Sequence, residues 1–227
     1  MLALRDVDAG YGTVQILWGA SLHVGAGEIV GLVGRNGVGK TTTLKAVAGL
    51  ADISAGEMRF GKVSLRGVKT ARLAALGIGY VAQAREICPH LSVEENLKVP
   101  LFSSGRPLAR LAAIYDQFPR LKERAQQRAG SLSGGERKLL AFGRIMLLEP
   151  SLYLIDEPTG GLMPAAVAEI AALLRRLRQR GAAILLVEQN LELVRALADR
   201  IYLMKSGRVE GCVDELDDAV AQQYLSI

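Results

Sequence analysis

Cysteine is scarce: Cys88 and Cys212 are the only two in 227 residues, far apart and without metal-ligand spacing. A disulfide framework or a cysteine-built metal site therefore finds no support, and reduced thiols in a cytoplasmic protein are expected. No charged-then-apolar signal opens the chain. Long hydrophobic runs are also missing. The apolar stretch at residues 182–187 falls far short of the roughly 20 residues that a membrane-spanning helix needs, so any membrane role is expected to be peripheral. There is no internal repeat and no low-complexity tract. Neither sign of charge dominates, with 28 Lys+Arg against 23 Asp+Glu and a net charge of +5. The only basic concentration, Arg175, Arg176, Arg178 and Arg180, lies on an expected helix and reads as a solvated face rather than a nucleic-acid site. A modest basic excess still suits small anions and an anionic membrane surface.

What is abundant is apolar and glycine residues. Half of the chain is apolar, enough for one domain with a substantial core and room for an inserted subdomain. Before residue 25, apolar and polar positions alternate around breaks at residues 10–12 and 25–27, which predicts short antiparallel strands. Residues 28–33 form a nearly continuous apolar run, expected of a strand buried on both faces, followed by a glycine-rich turn and a helix over 41–50. A strand is expected at 78–82. From about 83 to 149 the chain reads as mainly helical, with helix-compatible spacing at 93–99, 108–118 and 135–148. Buried strands follow at 151–155 and 183–187, joined by a helix that opens at Pro164 and stops at Gly181. The tail holds another strand at 200–204, a turn at Lys205-Ser206-Gly207 and a short terminal helix. Strands alternating with helices predict an α/β fold with a mostly parallel sheet.

Three motifs carry chemistry. Gly34-Arg35-Asn36-Gly37-Val38-Gly39-Lys40-Thr41 matches the phosphate-binding loop pattern and stands between a predicted strand and a predicted helix. Its glycines let the backbone wrap phosphate oxygens, the helix N-terminus adds positive dipole, Lys40 can reach the β and γ phosphates, and the Thr41 hydroxyl can coordinate Mg²⁺. Thr42 completes the loop's edge. Residues 151–158 form a hydrophobic strand ending in Asp156 and Glu157. Alone, adjacent acids after a strand read as a solvated turn; beside a phosphate loop, Asp156 becomes a metal holder and Glu157 a general base for water. Leu132-Ser133-Gly134-Gly135-Glu136 is on its own no more than a capped helix start, though one that could cradle an anion.

Together and in this order, the motifs resemble those of ABC (ATP-binding cassette) ATPases, the third matching their signature sequence, and the resemblance covers essentially the whole chain. It implies a P-loop NTPase cassette: a core at about 1–82 and 150–227 that includes an N-terminal antiparallel β-subdomain, and an α-helical subdomain at about 83–149 that carries the signature. ATP and Mg²⁺ are the implied cofactors. Tyr11 matches the aromatic residue that stacks on adenine, its alternative being an aromatic packed at a strand end. Gln83 matches the glutamine that contacts Mg²⁺ and water. Two cassettes, identical or homologous, are expected to sandwich two ATP molecules, so that Ser133, Gly134 and Gly135 of one meet the γ-phosphate held by Lys40 of the other.

Two departures stand out. Gln189 occupies the position of the family's usual switch histidine, and it donates a hydrogen bond but carries no titratable proton. The loop Thr159-Gly160-Gly161-Leu162-Met163-Pro164 lacks the aspartate of many relatives, so backbone contacts are expected to carry communication across the dimer. Residues 187–190, the Gly-Leu-Met-Pro loop and residues 88–97 resemble the ATPase subunits of bacterial branched-chain amino acid importers, whose close relatives power urea or short-amide uptake; by the same resemblance, the spelling of residues 34–38 and Arg85-Glu86-Ile87 belongs to both groups. The resemblance implies membrane permease subunits as partners, a solute-binding protein as an indirect one, no nucleic acid, and a place at the cytoplasmic face of the inner membrane. A soluble ABC ATPase of DNA repair or translation is the competing class, and it would bring coiled-coil insertions or a second cassette.

Overall fold

In chain order the strands are β1 (Leu2–Tyr11), β2 (Val14–Val24), β3 (Ile29–Val33), β4 (Asp52–Phe60), β5 (Val63–Ser64), β6 (Ile78–Val81), β7 (Leu152–Asp156), β8 (Ala183–Val187), β9 (Arg200–Lys205) and β10 (Arg208–Val213). The helices are α1 (Lys40–Val47), α2 (Leu73–Leu76), α3 (Val93–Ser104), α4 (Leu111–Gln117), α5 (Pro119–Glu123), α6 (Gly134–Met146), α7 (Pro164–Gln179), α8 (Leu191–Leu197) and α9 (Asp218–Leu225). This computed structural model describes residues 1–84 and 87–225; Arg85 and Glu86 of the Arg85-Glu86-Ile87 stretch lie outside the described residues.

The strands form two sheets. One is antiparallel, in the order β2-β1-β4-β5; the other runs β10-β9-β3-β8-β7-β6 and is parallel except for its antiparallel β10 edge. Every position of β3, β7 and β8 is buried, as a strand covered on both faces requires. Their period-two alternation sorts side chains into two cores. Val30, Leu32, Leu154 and Leu185 join the inner face of the antiparallel sheet and α1. Ile29, Ile155, Ile184 and Leu186 join α3, α6 and α7 on the other side. The parallel sheet is thus a middle layer, and the elements between β6 and β7 are all helical.

Several boundaries differ from the sequence expectation. The first helix ends at Val47 rather than residue 50 because Gly49 takes φ +65° and turns the chain. Helix α3 runs past Pro100 to Ser104: burial of Leu101 holds the extra turn, and the Ser103 and Ser104 hydroxyls donate back to the Pro100 carbonyl. Residues 108–110 form a 3₁₀ turn ahead of α4 rather than the start of one helix. Strands β4, β5 and β10 were not anticipated, nor was α8. The N-terminal antiparallel strands, the buried parallel strands and α7 form where the periodicity put them.

Candidate functional site

The sheet order places β3, β8, β7 and β6 side by side and parallel, so the loops leaving their C-terminal ends share one rim. The loop after β3 is the phosphate-binding pattern. Its backbone has no alternative to glycine at two positions. Gly39 has φ +114°, where a Cβ would also sit 2.9 Å from Leu17 and Met204, and a Cβ at Gly34 would come within 2.3 Å of the Met204 carbonyl oxygen. Gly39 also precedes α1 with no side-chain cap, leaving the helix N-terminal N–H groups available to an anion. Arg35, Asn36 and Gly37 are exposed on the loop's outer side, while Val38 packs inward and its carbonyl accepts from Gly207 N–H.

Lys40 folds back under this loop, its Nζ donating to the Gly34 and Arg35 carbonyls at 2.7 and 2.9 Å. Burial pulls its ammonium below the ordinary lysine value, against Glu157 and Asp156, which raise it. From the end of β7, Asp156 is buried and accepts from the Thr41 hydroxyl at 3.0 Å and the Tyr80 hydroxyl at 3.3 Å. Burial pushes its carboxyl above the ordinary value; the two hydrogen bonds oppose that shift.

Glu157 follows in a left-handed conformation, φ +44°, which is uncommon for a non-glycine residue. Its N–H donates to the Val187 carbonyl of β8, extending the sheet pairing by one residue while the side chain swings over the rim. Two amides clamp the carboxylate there: Gln83 Nε2 donates to one oxygen and Gln189 Nε2 to the other, each at 2.6 Å. Each carboxylate oxygen keeps a lone-pair site for a water molecule.

A cavity of about 360 Å³ is lined by Ile16, Asn36, Gly37, Gly39, Lys40, Thr41, Thr42, Gln83, Glu157 and Gln189. It gathers the phosphate-loop residues and the carboxylate clamp at one surface. Ile16, on β2, had no signal in the sequence beyond a strand position, and Tyr80 likewise could not be tied to Asp156 without the fold. Tyr11 does not line this cavity; it is 40% exposed at the end of β1, with Lys45 Nζ 5.8 Å from its ring centroid.

The Ser133 motif sits elsewhere. Ser133 caps α6, its hydroxyl accepting from Glu136 N–H while the Glu136 carboxylate accepts from Ser133 N–H, a full capping box. Gly134 lines a separate, larger cavity of about 710 Å³, shared with Gly160, Gly161 and Leu162, and touches the first cavity only through Gln83 and Glu157. Gly135 leaves no room for a side chain: a Cβ would lie 2.9 Å from that of Ala166. The arginine cluster on α7 is engaged within the chain, with Arg178 paired to Asp199 and Arg175 donating to the Ala196 carbonyl.

The chain is similar to known proteins in sequence and in fold. A family model described as ABC transporter matches residues 17–160. The high-affinity branched-chain amino acid transport ATP-binding protein BraG of Pseudomonas aeruginosa is 38% identical over 211 residues, covering 92% of this chain and 91% of its own. A probable branched-chain amino acid transport ATP-binding protein, LivF of Archaeoglobus fulgidus, is 34% identical over 221 residues, with 95% and 94% covered. Among solved structures, a nucleotide-free ATP-binding cassette shares the fold at a TM-score of 0.88 and 23% identity, covering 98% of this chain and 97% of its own. A dimeric cassette in a post-hydrolysis state, bound to ADP and phosphate, matches at 0.84 and 25% identity, with 96% and 100% covered. The chain belongs to the ABC transporter family, as one of its ATP-hydrolysing cassettes.

Proposed function

We propose that this chain energises a bacterial importer of branched-chain amino acids, binding and hydrolysing ATP at the rim formed by the loops after β3, β6, β7 and β8. The observation that carries the catalytic part is the carboxylate clamp: Glu157 is held by Gln83 and Gln189 at the mouth of the cavity that Lys40 and the glycine loop line. In this reading the loop N–H groups and Lys40 bind the phosphates and stabilise transferred charge, Glu157 accepts a proton from the attacking water, and the two glutamines aim it. Gly34, Arg35, Asn36, Gly37, Val38, Gly39, Thr41 and Thr42 form the nucleotide cradle, and Tyr11 stacks on the base once its ring turns from Lys45.

The chain's own oxygen donors suit Mg²⁺. The Thr41 hydroxyl and Asp156 carboxylate are hard ligands that meet at 3.0 Å beside the phosphate loop, and among the described residues no cluster of three or more His, Cys, Asp or Glu offers a self-sufficient metal cage. Gln83 lines the same cavity as Thr41, and its side-chain oxygen, not used in the bond to Glu157, is a candidate further ligand. When bound, the ion neutralises phosphate charge.

Separation of the Gly134 cavity from the Lys40 cavity supports a second cassette as partner, with Ser133, Gly134 and Gly135 serving the nucleotide of the other copy. The helical segment 83–149 forms the subdomain that transmits closure to membrane permease subunits, with a solute-binding protein upstream. Among the described residues no helix is long and apolar enough to cross a membrane, which fits a peripheral place at the cytoplasmic face.

The solute assignment draws on the names of the two full-length relatives and on the Val187–Asn190 and Gly-Leu-Met-Pro spellings. To test it, the tagged chain is captured from gently solubilised host membranes and its companions are identified. Two polytopic permeases, a second cassette and a binding protein that retains leucine or valine are expected; a binding protein that retains urea or an amide would reassign the solute, and soluble partners alone would sink the importer reading.

A further inference from the structure

Glu188 is absent from the chemistry described so far, yet it is one of the few charged side chains that the fold buries, 2% exposed at the end of β8. Its carboxylate is divided between two loops. Oε1 accepts from the Thr159 N–H at 2.9 Å and from the Thr159 hydroxyl. Oε2 accepts from the N–H groups of Gln189 at 2.7 Å and Asn190 at 3.0 Å. Four donors fill the roughly four acceptor sites that an ionised carboxylate offers, so the group is fully satisfied only as an anion with both loops in place.

Those two loops carry the clamp. Thr159 lies two residues beyond Glu157, and Gln189, next to Glu188, supplies one of the two amides on the Glu157 carboxylate. Gly160, Gly161 and Leu162, directly after Thr159, line the cavity that contains Gly134. We infer that Glu188 is a positioning residue for ATP hydrolysis, a buried strut that fixes Gln189 against Glu157 and ties both to the loop facing the Gly134 cavity. This rests on the reading of Glu157 and Gln189 as hydrolytic residues. A buried carboxylate suits the task because it binds N–H groups of two separate loops at once. A neutral amide of the same shape would turn an N–H donor toward donors on one side and release that loop.

The test is steady-state MgATP hydrolysis by the full chain and by Glu188→Gln, Gln189→Ala and the double variant, with nucleotide binding and melting temperature measured alongside. Glu188→Gln is expected to lower kcat about ten- to a hundredfold, the scale of a misplaced reacting group, with KM for MgATP held within about twofold. On the Gln189→Ala background the same change is expected to cost less than about threefold, because the strut then has less to position. Full activity in Glu188→Gln would overturn the inference, and so would equal losses on both backgrounds, which mark an independent structural role. If Gln189→Ala alone leaves kcat unchanged, the reading of Gln189 as a hydrolytic residue fails, and the inference that Glu188 positions it falls with that reading. Should Glu188→Gln not fold, Thr159→Val removes one donor from the other arm. A kcat reduced about threefold at constant KM supports the strut, and an unchanged kcat refutes it.

Discussion

Asp156 and Lys40 sit where they do at a cost to stability, since burial disfavours the charged form of each. For Asp156 the folded-state value lies above the unfolded one. Its contribution to stability is therefore fully present below the unfolded carboxylate value of about 4 and is lost as pH rises through the folded value. Replacing it with Asn removes a buried charge while keeping the shape. The metal-free Asp156→Asn chain is expected to be more stable by about 1 kcal/mol at pH 7, about 2–4 °C in Tm for a chain of this length. Differential scanning calorimetry from pH 4 to 7 should show that gap narrowing toward the acid end; a gap that widens there would mean that the carboxylate is stabilised by its partners rather than strained by burial. The motif residues at this scale were legible in the sequence because their identities are dictated by local chemistry. Gly39 at φ +114° admits glycine alone, and a lysine after such a loop has few other uses. Tyr80, Ile16 and Glu188 were not legible: Tyr80 matters through Asp156, 76 residues on, Glu188 through Thr159 in another loop, 29 residues back, and Ile16 through a cavity lining shared with the phosphate loop.

At the scale of elements, the periodic signal held where an element has one strongly buried face or two. Strands β3, β7 and β8 are buried throughout and were read without ambiguity. Strand β4 was not, because only Met58 and Phe60 of its nine residues are buried and Gly56 interrupts the run; pairing with β1 makes it a strand. Strand β10 did leave a trace. Ser206 and Gly207 both take positive φ, 46° and 79°, and join Lys205 to Arg208 as a tight hairpin, so the Ser-Gly pair already noted as a turn announced a returning strand. The starts of α3, α6 and α8 carry side-chain caps. Ser92 and Glu95 form a complete capping box on α3, outside the hydrolytic rim, and Asn96 beside it satisfies the Cys88 and Ser92 backbone. Ser92→Ala is expected to cost about 1 kcal/mol of stability by urea denaturation with an unchanged m-value. A change within a few tenths would mean that tertiary packing of Val93, Leu97 and Leu101, rather than the cap, fixes where α3 begins.

For the whole molecule the decisive arrangement is that the Lys40 cavity and the Gly134 cavity at the start of α6 share no lining residue beyond Gln83 and Glu157. Completion by a second copy follows if ATP bridges them. Glu157→Gln is expected to bind ATP with undiminished affinity and to lose turnover by about 10²–10⁴-fold. With ATP and Mg²⁺ it is also expected to sediment as a dimer while the nucleotide-free chain remains a monomer. Analytical ultracentrifugation checks this directly; near-normal turnover would remove Glu157 from the reaction, and a monomer at saturating ATP would remove the shared site. The sequence by itself determined the phosphate loop, the acidic strand end, the capped signature helix and the α/β alternation, because each is written in residues within a few positions of one another. Only the tertiary structure decided that Gln83 and Gln189 grip the two oxygens of Glu157, that Tyr80 reaches Asp156, and that Glu188 joins the loops after β7 and β8. Those contacts depend on the order β3-β8-β7-β6, which sets distant strand ends side by side, and strand order in a parallel sheet is settled by how the whole core packs rather than by any one segment.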